Sequence, residues 1–331
     1  MKSDNIIKKM TIKEFITISK WTFVLLFQIS KPATVFYLIF NILDKLSPVF
    51  NAIIFAKALD KVVLILSSDS PNFSSIIPYL SLMIGFMLLN TLFSYLRTIS
   101  GDYTFHKSKP VLNRVLYLKL KDLGIQNLEN PEVNNQIIRV KDTIGTIRDH
   151  VDNVVLLLSN IVNIITSAIV VFTLVPWLII PVIPIAIIYL LFDKKYRQVL
   201  YNYMYSNTES IRKADTYAQD LTDSKKLEEI TINNAFSFID QKYKTFWDKY
   251  TQELTKIIRK RVSGLYTNQL MYDLITAFGY VFVFFKVIEK AMSIGNATLA
   301  VRSLQLMQDS ITDTVLVFNK TYEYSVKLRD A

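Results

Sequence analysis

An all-α integral membrane protein with six long transmembrane helices is the fold class this sequence predicts, and three observations predict it. Residues 154–192 run for 39 positions without a charge. As helix that is about 58 Å at ~1.5 Å per residue, against a hydrocarbon core of ~30 Å, so it holds two crossings back to back. Hydrophobic residues make up 51% of the 331 positions and charged ones 20%, on the apolar side of an average soluble domain. From 185 to 263 there is neither proline nor glycine, a composition suited to long helices.

The elements follow in order. Lys8, Lys9 and Lys13 precede a short apolar core, as in a secretion signal, but Lys20 and Lys31 flank that core and no small-residue cleavage site follows. Residues 1–31 are therefore expected to stay on the chain, as an amphipathic elbow helix on the inner membrane surface. The six-helix domain then occupies 32–331. Its first span, 32–56, is apolar apart from Asp44 and Lys45, and its second, 76–96, is uncharged. The 39-residue run supplies the third and fourth, with a turn at Val175, Pro176 and Trp177, where proline interrupts the helix and tryptophan suits the headgroup interface. The fifth centres on 274–285, bounded by Asp273 and Lys286, and the sixth, 298–322, is interrupted by Arg302, Asp309, Asp313 and Lys320.

Charge placement tests this topology. With both termini cytoplasmic, the inside pieces 1–31, 97–149, 193–262 and 320–331 hold 32 of the 38 Lys and Arg, whereas the outside turns near 67–75, 174–177 and 290–296 hold only Lys290. That is the positive-inside pattern. The net charge of +10 is then topological and calls for no nucleic acid, since the basic residues are spread over every inside piece rather than gathered on one aromatic-lined surface.

The two long inside segments, 97–149 and 193–262, continue the membrane helices as hairpins. Leu112, Leu116, Leu120 and Leu123 keep helical spacing, and Asn130-Pro131-Glu132 then supplies an N-cap, a first-turn proline and an early acid, predicting a short helix that ends near Ile137. In the second segment Ile239, Tyr243, Phe246, Tyr250, Leu254 and Ile257 recur every three or four residues between lysines, a packed face opposite a wet one. A projection of this kind orders residues without adding membrane stability, so it calls for a partner on that side.

Much chemistry is excluded. There is no cysteine, hence no disulfide, thiolate metal site or cysteine nucleophile. His106 and His150 are the only histidines and lie too far apart for a local metal motif. The glycines at 85, 101, 124, 145, 264, 279 and 295 cannot form G-x-G-x-x-G, G-x-x-x-x-G-K-S/T or G-x-S-x-G, so the chain has no nucleotide-binding loop and is expected not to be an enzyme on its own. A membrane enzyme is disfavoured on the same grounds.

The segment 116–137, with Leu123, Leu128, Asn130 and Pro131, and the segment 212–238, which reads R-K-A-D-T-Y-A-Q-D-L-T-D and then K-L-E-E-I, resemble the transmembrane domain of ATP-binding-cassette (ABC) exporters. The second is similar to the bacterial peptide or lantibiotic exporter branch, although Glu228 stands where that branch favours lysine. The resemblance implies a permease that moves a peptide-like or amphipathic substrate by alternating access. It implies a second transmembrane domain, as homo- or heterodimer, and a nucleotide-binding ATPase domain or subunit that binds ATP and Mg, while this chain binds no cofactor itself. The bacterial plasma membrane is the implied location. The short helices near 130–137 and 223–234 would be coupling helices, with Glu129, Asn130, Glu132, Asp223, Lys225, Lys226, Glu228 and Glu229 facing the ATPase. The ATPase is expected either on a separately made chain or on a lost or missing portion of a longer one; the alternative is a truncated remnant, or a non-transporting docking or regulatory protein.

Charges at membrane depth are costly unless they face a polar cavity or a partner. Arg302, Gln305, Asp309 and Asp313 share one helix face, as do Asp44, Ser47 and Asn51. With Asn268, Tyr272 and Asp273 they predict a substrate pathway whose acidic face suits cationic cargo. The competing expectation is that Asp44 and Lys45 are consumed in intramolecular pairs and that the sixth helix is polar because it packs in a dimer.

Overall fold

The computed structural model describes residues 10–68, 73–124 and 131–329, and the described residues form helices and turns without a strand. The helices are α1 Ile12–Leu66, α2 Ile77–Leu123, α3 Pro131–Leu174, α4 Ile179–Ser206, α5 Thr208–Thr222, α6 Ser224–Ile232, α7 Phe236–Ile288 and α8 Ile294–Arg329.

Local sequence sets most boundaries. A capping box starts α1: the Thr11 hydroxyl accepts from the Glu14 N–H at 3.2 Å, and the Glu14 carboxylate accepts from the Thr11 N–H at 2.6 Å. Ser30 leaves helical geometry at φ −159 and ψ 89, two residues before Pro32, whose ring clashes with the preceding turn. The Thr34 hydroxyl donates to the Ser30 carbonyl at 2.9 Å and lies 3.2 Å from the Leu26 carbonyl. Between α3 and α4 the chain turns at Val175 and a one-turn 3₁₀ helix, Pro176–Leu178, where the sequence placed it. The helix expected to stop near Ile137 instead continues as α3 to Leu174. After Pro131 the next proline is Pro176, so nothing in between breaks the backbone ladder.

Four helices among the described residues, α2, α3, α4 and α7, are long and apolar enough to cross a membrane. The other two expected crossings lie in α1 and α8, which are as long but carry Asp44 and Lys45 in one and Arg302, Asp309 and Asp313 in the other. None of the most apolar stretch of α2 is buried. On α4, Ile180, Ile183, Ile187 and Leu191 are all exposed at spacings that make one continuous stripe. Hydrocarbon is the solvent in which such stripes cost nothing.

The chain divides into two compact units, Met1–Ile183 with Leu274–Ala331, and Pro184–Asp273. In the first, α1, α2 and α3 meet at a core of Leu26, Tyr37, Phe105, Val151 and Val155. The pairs Phe50–Phe86 and Tyr37–Phe105 set α1 antiparallel to α2. Helix α8 buries Ala300, Val301, Leu304 and Met307, a stripe at helical spacing. It runs antiparallel to α3, joined where the Asn163 amide donates to Ser310 at 2.7 Å and where Ser325 lies 3.2 Å from His150 Nε2.

In the second unit α4 and α7 run antiparallel. Asp193, buried, accepts from Arg197 at 2.9 Å and from Arg261 at 2.8 Å. Further along, the Tyr203 and Tyr250 rings stack at 5.4 Å. A Cβ on Gly264 would fall 1.8 Å from the Phe192 ring, so the two helices approach here through a glycine.

Candidate functional site

The first unit contains a cavity of about 710 Å³ bordered by α1, α2, the end of α7 and the start of α8, a volume typical of small-molecule sites (~300–1,000 Å³). Its wall is mainly apolar and includes Phe55, Met83, Met87, Phe284 and Val301. Methionines and aromatics give a deformable, polarisable lining that accepts varied apolar shapes. Against this stand three strongly polar side chains, Asn51 from α1 and Arg302 and Gln305 from α8. Arg302 and Gln305 are three positions apart and so share a helix face. The Asn51 Oδ1 is buried without a hydrogen-bond partner, and Arg302 has no ion-pair partner among the described residues.

The end of α1 and the start of α8, which both border this cavity, are joined by Asp60. Its carboxylate accepts from the Ser293 hydroxyl at 2.8 Å and from the Gly295 N–H at 2.7 Å, while the Ser293 oxygen accepts from the Asn296 N–H at 3.1 Å. A carboxylate at a helix N-terminus satisfies orphan donors and meets the positive end of the macrodipole. At Gly295 an added Cβ would lie 2.1 Å from the Ala56 carbonyl oxygen, so only glycine allows this approach.

The second unit carries a short helix of nine residues, α6, with none of its residues buried. Asp223 caps it, accepting from the Lys225 and Lys226 N–H groups at 3.0 and 3.4 Å. The Lys226 ammonium also pairs with Asp220. That hydrogen bond first, and the Asp220 charge second, hold Lys226 above the usual lysine range. The tie therefore stands across neutral pH and, on the alkaline side, is released as pH rises through the raised value. Beyond α6 the chain reverses through Asn234 at φ 49, a left-handed position that asparagine tolerates.

Residues 34–310 match the family model described as the ABC transporter transmembrane region. The chain belongs to this family. No curated protein matches it. As the membrane domain of an ABC-type transporter it is a multi-pass membrane protein, and its helices are to be read against lipid rather than water.

Within this ABC transmembrane domain the expected pathway residues are sorted into different surroundings. Asn51, Arg302 and Gln305 line the one cavity described above. Asp44 accepts from Arg97 of α2, and Asp313 lies 3.9 Å from Lys45; neither borders the cavity, nor does Asp309. Asn268 and Asp273 belong to the second unit, where the Asn268 amide is buried without hydrogen-bond partners and Asp273 accepts from Gln269 at 3.1 Å. Of the expected coupling residues, Asp223 is the α6 cap, and Lys225, Lys226, Glu228 and Glu229 are exposed on α6. Glu129 and Asn130 lie outside the described residues, as does the Glu132 side chain.

Sequence reading passed over other polar anchors. Tyr37 donates to Asp152 at 2.5 Å, and Arg148 bonds Asp102 at 2.9 Å. Asp193 served only as the end of an uncharged run, yet it holds two arginines. Its i,i+4 partner Arg197 was visible as a helix-face pair; Arg261, 68 positions away, had no local signal.

Proposed function

We propose that this chain is the permease half of an ABC-type exporter. Six spans from this chain and six from a second transmembrane domain, the same or a different one, form a pathway that opens alternately to each side and moves a peptide-like or amphipathic substrate. Both termini and the segments 97–149 and 193–262 face the cytoplasm of a bacterium. ATP and Mg are bound, and ATP hydrolysed, on a nucleotide-binding domain carried by another chain or by a further part of the polypeptide; this segment supplies no catalytic residue.

The observation that carries the reading is α6. It is a helix held in shape by its own cap and by the Lys226–Asp220 pair, with none of its residues buried. Ordering such residues costs conformational entropy that is little offset by burial among the described residues. A cleft in an ATPase domain supplies the missing contact, and the alternating charges of Lys225, Lys226, Glu228 and Glu229 give it polar complementarity.

The test is co-reconstitution in proteoliposomes with a nucleotide-binding subunit bearing G-x-x-x-x-G-K-S/T, followed by ATP hydrolysis with and without amphipathic peptides. Stimulated hydrolysis is expected with the intact chain, and at least a tenfold loss of stimulation with the charge reversal Lys225→Glu/Glu228→Lys. Stimulation that survives reversal would remove α6 from the coupling surface. No ATP-dependent movement with any nucleotide-binding subunit would leave the docking reading in its place.

A further inference from the structure

We infer that the cavity between α1, α2, α7 and α8 is built for an anionic amphiphile, a molecule with one acidic head group and an apolar body. The inference rests on the transporter reading for the cavity's role as a substrate site, and it narrows the substrate class.

The sequence alone pointed to cationic cargo, through the acids of the first and sixth spans. Folding redistributes those charges. Asp44 is paired with Arg97 and Asp313 lies against Lys45, away from the cavity wall. What borders the cavity is an arginine: Arg302, an exposed residue of α8, lines it and has no ion-pair partner among the described residues. Its position is eight residues into α8, roughly 12 Å from the helix start at ~1.5 Å per residue.

A cation without an ion-pair partner beside an apolar wall favours a bound anion, through a charge-assisted hydrogen bond that is bidentate for a carboxylate or phosphate. Two amides share the wall. Gln305 lies on the same face of α8 and Asn51 stands on α1, and each side-chain amide carries an NH₂ group able to donate to an anion. The three side chains together offer donors to a head group, while Phe55, Met83, Met87 and Phe284 receive the apolar body. A volume near 710 Å³ limits the occupant to roughly drug size.

The test is fluorescence titration of the full chain in zwitterionic nanodiscs with three matched probes: 11-(dansylamino)undecanoic acid, its methyl ester, and a dansyl alkylamine of equal length. The acid is expected to bind saturably and at least tenfold more tightly than the ester or the amine. Arg302→Gln should erase that preference while ester binding persists, which also shows that the variant is folded; Arg302→Lys should restore part of it. Ala297→Trp, which fills the cavity, should weaken all three. Equal or tighter binding of ester or amine by the unaltered chain overturns the inference, as does insensitivity to Arg302→Gln or to Ala297→Trp. Because the titration uses no nucleotide, a chain that shows acid preference but never supports ATP-dependent movement would sink the transporter reading and leave the site standing.

Discussion

Gly295 and Asp60 show how single side chains hold two helices together without an apolar core between them. The carboxylate closes the first turn of α8, and the missing Cβ lets the Ala56 carbonyl come within van der Waals reach. Gly295→Ala must push α1 and α8 apart because the obstructing atom is backbone, which has no rotamer to escape into. The expected loss is about 1–3 kcal/mol, the usual range for overpacking, read as a lower midpoint in thermal unfolding in detergent. Asp60→Asn keeps the shape and one acceptor, so its loss should be smaller, about 1 kcal/mol. An alanine variant as stable as the parent chain would mean that α1 and α8 do not approach as described.

Among the helices, α3 and α8 meet through buried polar side chains. Asn163, His150, Ser310 and Ser325 are all buried, and the facing residues join in two hydrogen-bonded pairs. In lipid, side chains of this kind replace the hydrophobic driving force that water would supply between helices. Each such bond is worth only about 0.6 kcal/mol on average and ~1.7 at most, because the separated helices also find partners. A double-mutant cycle on Asn163→Leu and Ser310→Ala should therefore return a coupling energy within that range, read from unfolding in mixed micelles. Zero coupling would show that the amide bonds elsewhere. The arrangement also explains part of the low apolarity of the sixth expected span: Ser303, Gln308, Ser310 and Ser325 are buried within the unit and need not be apolar.

For the chain as a whole, the number of spans decides the orientation of both termini. Four helices qualify by apolarity alone; adding α1 and α8 makes six, and the two counts place the C-terminal end on opposite sides relative to the α7–α8 turn. The absence of cysteine makes single-cysteine labelling direct. With six spans, a membrane-impermeant maleimide added outside intact cells should label Ala291→Cys and spare both Lys226→Cys and Lys327→Cys until the cells are opened. Labelling of Lys327→Cys from the outside together with Ala291→Cys would leave four spans and return α1 and α8 to the membrane surface.

Helix content and the turn at Val175–Trp177 could be read in advance, because each depends on residues within a few positions: a proline or a run without charge; the short helix after Asp223 came with the family resemblance, and its cap is visible only in the structure. The family too was legible, in diffuse patterns around 116–137 and 212–238. The end of the helix expected near Ile137 was misplaced for the same local reason, since a start signal at Pro131 came with no stop signal before Pro176. Which charges are spent and which remain was a different matter. Asp44 and Arg97 are 53 positions apart, and Asp60 and Gly295 are 235 apart; no periodicity links them. Asp44, Arg302 and Asp313 looked equivalent as charges at membrane depth, yet packing neutralised two of them and left the arginine beside an apolar cavity. The sign of a site's charge is what remains after every pair has formed, and pairing is a property of helices brought together in space.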